Sequence, residues 1–206
     1  MNKEEFISAI ESYLPERSAE AVASWILDKP LKLKIKNNRK TKLGDFRAKR
    51  TSEQKHTITI NAGLNPYEFL ITLVHEFAHL VVYEEFGRMV RPHGIEWQNA
   101  YRTLMVQYFE LDVFPKSLTI VLLKHLRNPK ASSHGDLNMV RELARYDKHS
   151  ESEDVYLEEL QHGESFIING RVFVKGEKRR TRFMCTELNS RRKFTVSALA
   201  KVLRYE

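Results

Sequence analysis

Ile71 to Tyr83 reads ITLVHEFAHLVVY, an apolar run interrupted by His75, Glu76 and His79. A stretch this apolar is expected as a helix buried in a protein core. On a helix, residues four apart lie one turn apart and about 40° round the axis, so both imidazoles can reach one ion. Glu76 then stands beside them, placed to take a proton from metal-bound water. HExxH therefore means two zinc ligands and a general base. Left without partners in such a helix, Glu76 and two imidazoles would cost several kcal/mol.

A zinc ion with an open position for water needs a third protein ligand. The metzincin pattern would put glycine at Val82 and histidine at Glu85, and this chain has neither. Glu85 also lies about 9 Å beyond His79 along an unbroken helix, out of reach. Glu96 and Glu110 are conceivable distant ligands. His93 fits better. It stands in RPHGIEW (91–97), fourteen residues after His79, where Pro92 and Gly94 mark a turn before an amphipathic stretch from Ile95 to Phe109.

HEFAH followed by HGIEW resembles the SprT-like metallopeptidases, which include the eukaryotic protease Spartan. The resemblance runs from about Leu31 to Phe109. It implies one catalytic Zn²⁺ held by His75, His79 and His93, with Glu76 as the base of an endopeptidase acting on protein or peptide substrates. It also implies a zincin-like helical core preceded by a small β-sheet whose edge can hold an extended peptide. Many such proteins carry a C-terminal zinc ribbon. Cys185 is the only cysteine here, so neither a cysteine ribbon nor an internal disulfide can form.

The rest of the chain reads as an α+β protein. Residues 2–13 place Phe6, Ile7 and Ile10 at helical spacing, and Ser18 reads as the N-cap of a second helix ending near Pro30. LKLKIK (31–36) and HTITIN (56–61) read as strands, with a further strand around Leu43 to Ala48. Asn65, Pro66 and Glu68 are a helix start, and Gly87 the matching stop. Helices follow from about Lys116 to Arg127 and from Leu137 to Tyr146. Outside the motif, His125, His134, His149 and His162 read as surface residues. DKHSESED (147–154) suggests a boundary between a domain over 1–150 and a small basic antiparallel β module over 151–206. In that module Asn169-Gly170 is a hairpin turn, Phe166, Phe173, Phe183 and Phe194 form the core, and Ala198 to Tyr205 is expected as a closing helix.

The net charge of +7 is unevenly spread: residues 29–56 carry +9 and residues 171–206 carry +8, which leaves −10 elsewhere. Two basic blocks around an acidic middle point to a polyanion such as DNA. Lys32, Lys34, Arg39, Lys40, Lys42 and Arg47 are the candidate phosphate contacts in the first block. Arg179, Arg180, Arg182, Arg191 and Arg192 are those in the second. With no leader-like segment and no run of membrane-spanning length, a cytoplasmic location is expected. Two other functions fit the same residues: a non-catalytic nucleic-acid-binding protein with a structural metal site, and a peptidase that uses no nucleic acid.

Overall fold

The computed structural model describes residues 2–39, 42–129, 136–147 and 154–205. It is an α+β protein whose chain divides into two compact units, Met1–Asp147 and Lys148–Glu206.

The first unit begins with α1 (Lys3–Ile10), started by a capping box between Asn2 and Glu5. α2 (Ala19–Leu27) follows, but Ser18 does not cap it through its side chain: the hydroxyl donates backward to the Pro15 carbonyl at 2.7 Å. Both helices bury their apolar faces, Phe6 and Ile10 from one and Val22, Ala23 and Ile26 from the other, in the core that also holds the long central helix.

β1 (Leu31–Lys36), β2 (Gly44–Arg47) and β3 (His56–Asn61) form a three-stranded sheet in the order β1-β3-β2, with β3 parallel to β1 and antiparallel to β2. β2 is therefore an edge strand. Its pairing register turns a defined set of backbone groups away from β3. The Leu43 carbonyl accepts from the Asn61 N–H at 2.9 Å, so alternate residues 43, 45 and 47 turn their backbone groups toward β3. Gly44 and Phe46 turn theirs to the open edge.

α3 (Pro66–Phe86) carries the histidine motif. Asn65 accepts from the Glu68 N–H at its start and also donates to the Leu143 carbonyl at 3.0 Å and to Asp147 at 2.8 Å, tying that start to the far end of the unit. Gly87, with φ +64° and ψ −127°, ends the helix in a conformation that glycine adopts readily and residues with a Cβ rarely do. α4 (Ile95–Glu110) packs against α3, burying Trp97, Tyr101, Met105 and Tyr108, and is followed by α5 (Lys116–Arg127) and α6 (Leu137–Ala144). Among the described residues no helix is long and apolar enough to cross a membrane.

His125 is not a surface residue. It is buried on α5, with Nδ1 3.3 Å from the Asp136 carboxylate. Leu118, Leu122 and Leu126 face the core from the same side of α5, and the apolar stripe carries the imidazole inward with it. His134 and His149 lie outside the described residues.

The second unit is a six-stranded sheet in the order β4-β9-β5-β6-β7-β8, built from β4 (Val155–Tyr156), β5 (Ser165–Ile168), β6 (Arg171–Arg179), β7 (Arg182–Glu187), β8 (Lys193–Ser197) and β9 (Lys201–Tyr205). Asn169 and Gly170 both have positive φ, as a two-residue hairpin turn between β5 and β6 requires. The closing helix expected over Ala198 to Tyr205 is a strand instead. β9 pairs antiparallel with β5 on one side and β4 on the other, covering an edge of β5 that a helix would leave with unpaired backbone groups. Phe166, Phe173 and Phe183 are buried and Phe194 packs on them, while Cys185 lies buried on β7.

Two charged residues of this unit work internally. Lys175 is 4% exposed; its ammonium donates to the Glu158 carbonyl at 3.2 Å and to that of Leu160, and stands 4.0 Å over the Phe183 ring. Glu187 is held by the Arg171 guanidinium and the Ser190 hydroxyl, which together lower its carboxyl to about 2. A carboxylate depressed in the folded state contributes stability that is complete above its ordinary value of 4.5 and disappears as pH falls through about 2. The wild-type module should therefore unfold at higher urea than Glu187→Gln at pH 6, with the gap closing by pH 2. Following β6 and β7 amide signals through urea titrations at both pH values checks this; an equal gap at both contradicts it.

Candidate metal centre and basic groove

The centre is assembled from two helices and the turn between them. His75 and His79 project from the same face of α3. His93 comes from the loop before α4, in a left-handed conformation (φ +60°) that is uncommon for a residue with a Cβ and costs about 1–3 kcal/mol. That conformation brings its ring back toward α3. The Nε2 atom of His93 lies 3.0 Å from that of His79 and 3.1 Å from that of His75. All three imidazoles are half-buried.

Trp97 supports them from behind. Its indole N–H donates to the His75 carbonyl at 3.3 Å, and its ring lies 4.6, 5.5 and 4.7 Å from those of His75, His79 and His93. Tyr101 stacks on the indole at 5.0 Å and also lies 6.0 Å from the His75 ring, and Gln98 donates to the His93 carbonyl at 3.4 Å.

The donor set fits a metal ion. Burial, then the neighbouring imidazoles, lower His75 to about 2 and His79 to about 4, and burial lowers His93, so all three are neutral near pH 7. A proton on one nitrogen can bridge one of these close pairs well, but not both. A cation accepts a lone pair from each. Tetrahedral coordination at about 2.0–2.1 Å places ligand nitrogens about 3.3 Å apart, close to the spacing found. Among the described residues this is the one group of histidine, cysteine or acidic side chains with such convergence. Glu96 and Glu110, the other ligands conceivable from sequence, are not part of it.

Glu76 is 8% exposed. Burial, followed by the negative charge of Asp45, raises its carboxyl to about 7, against a hydrogen bond from the Phe46 backbone N–H that lowers it. Asp45 is itself paired with Lys42 and Arg47, both at 2.7 Å. Burial pushes Asp45 up, but those two partners more than offset it and its carboxyl lies below the usual range.

The SprT-like family matches residues 14–117 of the chain, half its length. The chain belongs to the SprT-like family. Protein SprT of Actinobacillus succinogenes is 46% identical over 68 residues, covering 29% of this chain and 39% of that protein. Protein SprT of Pasteurella multocida is 48% identical over 50 residues, covering 22% and 30%. The chain thus aligns with less than half the length of these curated relatives. No solved structure matches it.

The basic residues of this SprT-like chain sort into different surroundings. Lys34, Lys36, Arg39 and Arg47 line a groove of about 450 Å³ with Asn37, Thr57 and Thr59. Lys32 is exposed on the same strand as Lys34 and Lys36. Arg39 is bonded inward, to Asn61 at 2.8 Å and Thr59 at 2.9 Å, and Lys42 and Arg47 share Asp45. Lys40 lies outside the described residues. In the second unit, Arg179, Arg180 and Arg182 surround the β6–β7 turn, whereas Arg191 and Arg192 precede β8 at the other end of β7. A six-residue strand puts about 20 Å between those two sets, so they do not form one patch.

Sequence reasoning missed Gly44, whose Cα faces Glu76. A glycine beginning a short strand carries no motif signal.

Proposed function

We propose that this protein is a zinc-dependent endopeptidase. The observation that carries the reading is the convergence of three neutral imidazole nitrogens beside a buried carboxylate, next to the open edge of β2. Zinc held by His75, His79 and His93 would supply a Lewis acid that polarises the scissile carbonyl and acidifies water. The outward backbone groups of Gly44 and the Phe46 carbonyl can pair with an extended substrate segment as an added strand, while the Phe46 N–H is held by Glu76. Glu76 accepts the proton of the attacking water and returns it to the departing amine nitrogen. Its raised value suits both steps, since a base near the working pH can take the proton and give it back. The test compares wild type with Glu76→Gln on an unfolded protein substrate; equal cleavage rates would sink the reading.

The basic groove supports a second component, binding of DNA through its phosphates. Among the described residues, Lys34 and Lys36 line it without a carboxylate or buried polar partner, unlike Arg39 and Arg47. Lys34→Gln together with Lys36→Gln should weaken duplex binding regardless of sequence. The slope of log K against log salt should become shallower by about one for each phosphate that is no longer neutralised. Gel-shift titrations over a salt series measure both quantities. An unchanged slope removes the groove from the interface, whereas no duplex binding by the wild type favours a peptidase that works without nucleic acid.

A further inference from the structure

Most structural glycines are explained by backbone conformation, but Gly44 is not among the positive-φ glycines of this chain, which are Gly87, Gly163 and Gly170. Its explanation is contact. A Cβ at this position would lie 2.7 Å from both Cγ and Oε1 of Glu76 and 2.8 Å from Cγ2 of Thr72. Carbon atoms in ordinary contact are about 3.5–4.0 Å apart, so something would have to move by about 1 Å.

The strand has little freedom to be what moves. Phe46, two residues along β2, stacks on His56 at 5.8 Å and meets Tyr83 at 6.0 Å, while Asp45 is held by Lys42 and Arg47 on the other side. Thr72 is buried and β-branched on a helix, with few rotamers open to it. The Glu76 side chain is the flexible member of the set. It rotates away, and its carboxylate gives up the hydrogen bond from the Phe46 N–H.

We infer that Gly44 is a positioning residue: the absence of a side chain there lets the Glu76 carboxylate lie against β2, where it accepts from the Phe46 N–H. This rests on the peptidase reading, because it assigns Gly44 a role through the general base. The edge strand then has two functions, receiving substrate and seating the base, and both depend on the same short segment, Gly44 to Phe46.

The test uses Gly44→Ala in a Thr72→Ser background, which removes the Thr72 methyl and leaves Glu76 as the obstacle. With zinc supplied, this chain should bind one zinc ion with affinity within about threefold of Thr72→Ser and unfold cooperatively. Its kcat should fall by about 10²-fold, the loss typical of a displacement near 1 Å, with KM within about threefold. A second readout needs no turnover. Adding Gly44→Ala should lower Tm in the Thr72→Ser chain but not in Thr72→Ser with Glu76→Ala, where the clashing atoms are gone. A kcat within about threefold of Thr72→Ser while Glu76→Gln is inactive would overturn the role of Gly44 and spare the peptidase reading. Loss of zinc, or of cooperative unfolding, would also overturn it, because position 44 would then serve the fold rather than the base. Full activity in both Gly44→Ala and Glu76→Gln would remove the peptidase reading itself.

Discussion

Glu76→Gln is expected to lower kcat for cleavage of an unfolded protein by about 10²–10⁴-fold, the range that a positioned general base contributes. Glutamine has almost the volume of glutamate, so the close fit against Gly44 is kept, and its amide oxygen can still accept from the Phe46 N–H. Only the capacity to take up and release a proton is removed. Zinc stoichiometry should therefore be unchanged. Stability should be equal or higher, since burial disfavours the carboxylate charge enough to raise its titration to about 7, and a neutral amide escapes that penalty. Steady-state cleavage, metal analysis and thermal unfolding of the two proteins side by side separate these effects. A variant that loses zinc or melts earlier would show Glu76 to be part of the metal site's structure instead.

His93→Ala is expected to weaken zinc binding by at least about 10²-fold, because one of three nitrogen donors is removed and even outer partners of metal ligands contribute about 10–100-fold. The effect should appear in stability only when zinc is present. At a free zinc concentration about a thousandfold above the wild-type dissociation constant, binding stabilises the wild type by about 4 kcal/mol; at the same concentration a site about a hundredfold weaker yields about 1.4 kcal/mol. The metal-free proteins should differ much less. His93 holds a strained backbone conformation, and its ring is half-buried against Trp97 rather than part of the core. Titration calorimetry with zinc, and melting curves with and without it, give both quantities. Retained stoichiometric zinc at wild-type affinity would take His93 out of the ligand set.

The two helices that frame the centre were legible because their signals are local. Asn65, Pro66, Glu68 and Gly87 begin and end α3 through contacts within a few residues, and helical periodicity alone puts His75, Glu76 and His79 on adjoining faces. The same locality explains the hairpin at Asn169-Gly170 and the alternating strands. Errors arose where a segment's state depends on a distant partner. Lys201 to Tyr205 can be read either way from its own residues, and the open edge of β5 decides for a strand. His125 has no motif around it, and only the packing of α5 reveals that it is buried. Lys175, by composition one more basic residue on a strand, is a buried cation held by two carbonyls and a ring.

From its residues alone the chain specified a helix bearing two imidazoles and a carboxylate, a turn able to return a third imidazole, and two basic blocks. These follow from spacing along a single element, where helix geometry and chain reach settle the outcome. The tertiary structure alone decided that His93 closes on the other two rings, that Glu76 lies against a glycine on an edge strand, and that the arginines of the second block are split between the ends of β7. Each of these depends on atoms far apart in sequence, and close packing rather than local preference determines which of them meet.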